Sequence, residues 1–185
     1  GYSFLDIFYV EKDADGNWEI PEAFGNNLNG PFHDGSATFN KEQDMIIYTR
    51  SAMRNEKKRL LNENNENQFF LYMSKKEDGE WTEPTILPFN NVDYSIGHPS
   101  LSADGSTLYF SSDMPGGYGG SDLYKSTYDG SSWSQPVNLG SSINTPGNEV
   151  FPYSDKAGKL YFSSEGHRTL GGLDVFVSEQ VAGVW

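Results

Sequence analysis

Three histidines, His33, His98 and His167, are the side chains best suited to hold a metal or move a proton near neutral pH. No two of them stand at a ligand spacing such as His-x-x-x-His, and cysteine is absent, so no metal site is expected. A serine nucleophile needs an elbow of the form Gly-x-Ser-x-Gly, which does not occur. Gly117-Tyr118-Gly119-Gly120-Ser121 and Gly171-Gly172 are rich in glycine, but no lysine or helical pattern follows to complete a phosphate loop. They read as tight turns, with Asp122 and Asp174, two residues on, capping the turn through their carboxylates. Asp13-Ala14-Asp15-Gly16-Asn17 opens like a calcium loop, yet Phe24 stands where the twelfth-position glutamate is required, and a hairpin turn is the expected reading. Asp129-Gly130 with Trp133 lacks the Ser-x-Asp-x-Gly spacing of a sialidase Asp-box. The remaining carboxylates are spread over many loops, so no acid pair for glycoside hydrolysis stands out. No catalytic residue and no cofactor is expected.

Charge narrows the partners. The 185 residues carry 13 Lys+Arg against 26 Asp+Glu, a formal net charge of -13. Nucleic-acid affinity rests on cations that neutralise phosphates, and anionic membranes attract basic segments, so both are disfavoured. No apolar run approaches the roughly 20 residues of a membrane helix. Residues 1–30 show no signal peptide, and any targeting sequence is expected outside the chain. Aromatics are 15% of the residues, far from the composition of a disordered acidic chain.

The elements that must position these residues repeat. Trp18, Trp81, Trp133 and Trp185 are spaced by 63, 52 and 52 residues, and the first three stand in Trp-x-x-Pro. Before each lies a short strand closed by an aromatic: Phe8, Tyr72, Tyr124 and Phe176. Further upstream come Met45-Ile46-Ile47-Tyr48, Leu108-Tyr109-Phe110 and Leu160-Tyr161-Phe162, and before those Ala37-Thr38-Phe39, Pro99-Ser100-Leu101 and Phe151-Pro152-Tyr153. Each unit therefore holds four strands, a to d, with d starting at the Trp. The turns carry Asp15-Gly16, Asp78-Gly79, Asp104-Gly105 and Asp129-Gly130, whose glycines supply the positive φ of tight hairpins. Four antiparallel strands at this period predict an all-β β-propeller. The expected division is strands c and d of one blade in 1–30, a second blade in 34–90, a third in 97–140 and an incomplete fourth in 150–185. That is about three and a half blades. The expectation is a piece of a larger six- to eight-bladed ring, with closure by dimerisation as the alternative. In this register His98 falls beside Ser36 and Val150, and His167 beside Pro115.

Residues 99–113, followed by Gly116-Gly117-Tyr118-Gly119-Gly120-Ser121-Asp122-Leu123-Tyr124, resemble the PD40 (WD40-like) repeat related to the TolB propeller. Trp133-Ser134-Gln135-Pro136 and Ser163-Ser164-Glu165-Gly166-His167-Arg168 through Phe176 fit the same pattern, whereas 30–70 lack its Gly-Gly-x-Asp element. This form of the repeat is similar to that of Bacteroidota OmpA-family proteins, including the peptidoglycan-associated subunit of type IX secretion and gliding machinery. The resemblance implies a periplasmic, non-catalytic interaction platform tethered to the outer membrane. It implies an unidentified protein partner in an envelope complex, and contact with peptidoglycan only through a domain outside this chain.

One departure from the repeat is an insertion. The b–c connection of the second blade, 50–67, is ten residues longer than its siblings and holds five of the 13 basic residues, all between 50 and 59. Any helix is expected only here. A basic loop on an acidic chain can steer a partner; a solvated insertion without a partner is the competing reading. Arg54, Lys57, Lys58 and Arg59, with Tyr94, Tyr118 and Arg168 on the loops of the same face, are the candidate partner-binding residues. Two other classes of function stay open: the propeller of a peptidase or glycosidase, and a module binding glycan or peptidoglycan fragments.

Overall fold

The computed structural model describes residues 4–25, 27–55 and 57–185. The first unit pairs β1 (Phe8–Tyr9) with β2 (Glu22–Ala23), extended by a bridge between Lys12 and Trp18. In the second, β3 (Asp34–Phe39) and β4 (Met45–Ser51) are followed by a small hairpin of β5 (Met53–Asn55) and β6 (Lys58–Arg59). The chain then returns as β7 (Phe69–Glu77), whose outer edge is shared by β8 (Glu80–Trp81) and β9 (Thr85–Ile86). The third unit is the meander β10 (Ile96–Leu101), β11 (Thr107–Ser112), β12 (Asp122–Thr127), β13 (Val137–Asn138). The fourth is β14 (Glu149–Ser154), β15 (Leu160–Ser164), β16 (Asp174–Ser178). All pairings are antiparallel, and the described residues contain no helix. The architecture is that of an all-β propeller segment, with β3, β10 and β14 as successive a strands that contact one another.

Register follows the repeat. The aromatic rungs Tyr48–Tyr72, Phe110–Tyr124 and Phe162–Phe176 pair strands b and c in the three larger sheets. The a–b hairpin of the third blade closes on Gly105 at φ 70°, where a side chain would be strained. Asp104 holds that turn by accepting from the Ser106 amide and from the hydroxyls of Ser102 and Ser106.

Apolar burial lies between blades rather than within them. One cluster joins Met45, Ile47 and Leu71 of the second blade to Leu108, Phe110 and Trp133 of the third. A second joins Ile7 and Phe24 of the first unit to Ile46, Tyr48 and Trp81, and a third joins Leu123 and Tyr109 to Leu160, Phe162 and Trp185. Because β4 is covered on both faces, all seven of its residues are buried. Each of the last three tryptophans thus packs on the blade before its own. Trp18, in the first unit, is 68% exposed, with the Lys12 ammonium 4.8 Å from its ring.

Two details differ from the sequence reading. The described residues of the 50–67 insertion form no helix: the chain leaves β4 and folds back as the β5–β6 hairpin, with Asn55 accepting from the Lys57 amide. Glu56 lies outside the described residues. His98 is level with Ser36 and Phe151 rather than Val150. The rungs Asp34–Arg50, Ile96–Ser112 and Glu149–Ser164 fix this alignment, and the a–b turn of the fourth blade is one residue shorter than that of the third, which offsets the spacing of 52.

Candidate functional site

The loops joining b to c and d to a crowd one end of the sheets, and their geometry is set by buried polar residues. Asp122 is 1% exposed and accepts from the amides of Tyr118 and Gly119 and from the Asn138 side chain. In the next blade Asp174 accepts from the Leu170 amide. The glycine-rich loop needs its glycines for approach: a Cβ on Gly119 would meet the carbonyls of Thr145 and Gly147. Glu149, fully buried, accepts from the Thr145 amide at 2.8 Å and from the Thr145 and Ser164 hydroxyls. In the second blade this rung is an ion pair. Asp34 accepts from the Arg50 Nε and from the Gly30 amide, while Arg50 also donates to the Leu28 carbonyl and lies 5.2 Å from the rings of Tyr48 and Tyr72. Burial pushes the Asp34 carboxyl up, against the pull of the Gly30 amide and the Arg50 guanidinium.

On this framework stand the candidate residues. Arg54, Lys57, Lys58 and Arg59 are all exposed on the β5–β6 hairpin. Arg59 holds the hairpin down, its guanidinium 4.9 Å from the Phe32 ring and 5.8 Å from Phe4. Tyr118 and Arg168 are exposed on the b–c loops of the third and fourth blades. Tyr94 belongs instead to the packing of the second and third blades: half-buried, it donates through its hydroxyl to the Phe89 carbonyl and rests against their shared core.

The structure adds a feature that the sequence reading missed. A cavity of about 560 Å³ opens along the inner wall, where the a strands meet the mouths of the loops. Ser36, His98 and Phe151, the equivalent bulge positions of three blades, line it together with Leu5, His33 and Phe69. His98 and Phe151 adopt φ of 54° and 53°, a left-handed conformation that costs energy in residues with a side chain, and their rings lie 4.0 Å apart. The His98 Nδ1 is buried without a hydrogen-bond partner, and burial holds the imidazole below its usual pKa. A signal was present in the sequence: Pro99 and Pro152 sit inside strands, where proline marks an edge or a bulge. Among the described residues, no three His, Asp or Glu side chains gather as a metal set.

This is a TolB-type β-propeller fold. TolB from Acinetobacter baumannii superposes with a TM-score of 0.53 at 16% identity, covering 92% of this chain and 34% of that one. A putative TolB from Agrobacterium tumefaciens gives 0.53 at 18%, covering 92% and 55%. A puromycin-hydrolyzing peptidase from Mycobacterium tuberculosis gives 0.54 at 16%, covering 90% and 22%. The chain therefore spans about a fifth to just over half of these neighbours. No family model matches it, and no curated protein is similar to it in sequence.

Proposed function

We propose that this chain is a non-catalytic protein–protein interaction platform of the periplasm, tethered to the outer membrane within a peptidoglycan-associated complex such as type IX secretion or gliding machinery. The observation that carries the reading is the β5–β6 hairpin. It places Arg54, Lys57, Lys58 and Arg59 in solvent, on a chain of net charge -13, at the end where the variable loops gather. Insertions into repeat folds collect on the binding face, and a local reversal of charge selects an acidic partner. The likeness of 97–178 to the PD40 repeat supports the envelope setting.

The test is capture from native membranes. Replacing Arg54, Lys57 and Lys58 together by Ser removes the complex and leaves thermal unfolding unchanged, since exposed loop charges carry little stability; Arg59 is kept because its guanidinium stacks on Phe32 and Phe4. In the wild type, association slows as salt rises from about 0.1 M to about 1 M, where screening tightens from about 10 Å to about 3 Å. Substitution of Asp104 and Lys156, in the a–b turns of the opposite end, leaves capture intact; loss there with retention in the hairpin variant would invert the assignment. A second reading, the propeller portion of a hydrolase, is favoured by the likeness to the mycobacterial peptidase. It requires a catalytic domain outside this chain, and the flanking sequence decides it.

A further inference from the structure

The groove on the inner wall and the basic hairpin form one continuous surface. Arg59 covers Phe32 and Phe4; Phe4 packs edge-on against His33 at 5.1 Å; His33 accepts from the Leu5 amide, and both residues line the groove. Beyond them lie Phe69 and the His98–Phe151 pair. Leu5, Phe69 and Phe151 are 66%, 42% and 54% exposed, so apolar surface faces the opening. Among the described residues, none that lines it is Asp, Glu, Lys or Arg, although more than a fifth of the chain is charged. The size lies within the roughly 300–1,000 Å³ of ligand pockets.

Hydrogen bonding tells how an occupant enters. The amides of His98, Leu101 and Ser154 on the inner strands are already taken by the hydroxyls of Thr49, Thr38 and Ser100 on the blade before each. These positions therefore cannot accept an added strand, and recognition falls to a side chain. The Ser111 and Ser112 hydroxyls donate to the Glu149 and Ser95 carbonyls, which leaves the groove few free donors for a polyol. With the His98 Nδ1 buried and unpaired, Nε2 is the ring nitrogen left to meet an occupant.

We propose that the groove receives an uncharged apolar side chain, best an aromatic, from an acidic peptide segment of the partner. His98 donates to a carbonyl beside the anchor, and the hairpin meets the flanking carboxylates. This rests on the hairpin reading for the sign of the flanks and on the groove alone for the anchor.

The probes are acetylated, amidated synthetic peptides of sequence Glu-Asp-Phe-Asp-Glu, the same with Ala at the centre, and the same with Lys flanks, titrated by calorimetry against the wild-type chain. The Phe peptide is expected to bind about tenfold or more tightly than the Ala peptide, from burial of the ring, and the Lys-flanked peptide is expected to bind weakly. Phe151→Ser, at an exposed position that leaves folding intact, and His98→Gln should erase the preference for Phe and keep the salt dependence. The threefold Ser variant of the hairpin, at Arg54, Lys57 and Lys58, should erase the salt dependence and keep the preference. Equal binding of Phe and Ala peptides, or none at millimolar concentration, overturns the groove proposal. A Phe preference without salt dependence in the wild type supports the groove and overturns the hairpin reading. Binding of cellobiose that depends on His98 overturns the peptide assignment.

Discussion

Arg50→Ser isolates a buried charge, and its consequence can be worked through. Asp34 and Arg50 are 1% and 6% exposed, and the carboxylate has two partners, the Arg50 guanidinium and the Gly30 amide. Removing one member of a buried pair costs about 3–5 kcal/mol, because the survivor stays desolvated. For a chain of this length each kcal/mol is worth about 2–4 °C, so Tm should fall by roughly 6–20 °C. The same rung is Ile96–Ser112 in the third blade. Importing that pair, as Asp34→Ile with Arg50→Ser, removes the orphaned charge and should recover part of the loss, with a coupling of about 0.5–3 kcal/mol. Acidity supplies a second check. Burial already raises the Asp34 carboxyl, and Arg50 opposes that rise; without Arg50 the folded-state pKa climbs further above the unfolded value of about 3.9. A raised carboxyl stabilises below the unfolded pKa and loses that contribution as pH rises through the folded value. The deficit of Arg50→Ser should therefore be largest near neutrality and shrink toward pH 4. Urea denaturation of both variants at the two pH values measures this. A pH-independent deficit, or a double variant whose loss equals the sum of the single losses, would refute the reasoning.

Trp133→Ala should cost about 3–5 kcal/mol, since the ring is 6% exposed between the second and third blades. Trp18→Ala should change stability by no more than about 0.5 kcal/mol, and iodide should quench Trp18 fluorescence while sparing Trp133. Gly119→Ala should destabilise sharply, because its methyl would meet the carbonyls of Thr145 and Gly147, whereas Gly171→Ala meets nothing within 4 Å and should be silent; amide exchange at Tyr118 and Ser121 separates the two.

Strand positions were readable wherever two signals coincided. Leu108 to Ser112 combine an apolar and aromatic run with an Asp-Gly turn before them and a glycine-rich loop after them, and β11 forms there. The b-strand aromatics announce their rungs because inter-blade cores demand large apolar residues at fixed heights. The burial of tryptophan was less legible. A Trp at d packs on the preceding blade, so its environment depends on residues outside its own repeat, which no local window contains: Trp133 is 6% exposed and Trp18 68%. The form of the insertion was not legible. A hairpin of three plus two residues is too short to leave a periodic pattern, and its closure depends on one Asn55 side chain. Tyr94 was placed by loop position, while its burial comes from the core of two blades that no local window contains.

Where the repeats agree, they build blades; where they disagree, they differentiate one end of the molecule. The rung occupied by Asp34–Arg50, Ile96–Ser112 and Glu149–Ser164 is solved three ways, by an ion pair, by apolar packing and by an acid capped with hydroxyls. Each solution is buried, so the differences serve local packing first. Two residues further along strand a, the chain places Ser36, His98 and Phe151, again three different residues, but here on the groove wall. Two of the three hold a left-handed backbone. A conformation that costs stability is retained where the surrounding structure enforces it. Here the bulge brings an imidazole and a phenyl ring together along an uncharged opening. The same end carries the basic hairpin, held to the groove's rim through Arg59, Phe4 and His33. Variation that is buried explains itself through packing. Variation lining an opening, joined to a reversal of charge, is the observation on which the proposed partner surface rests.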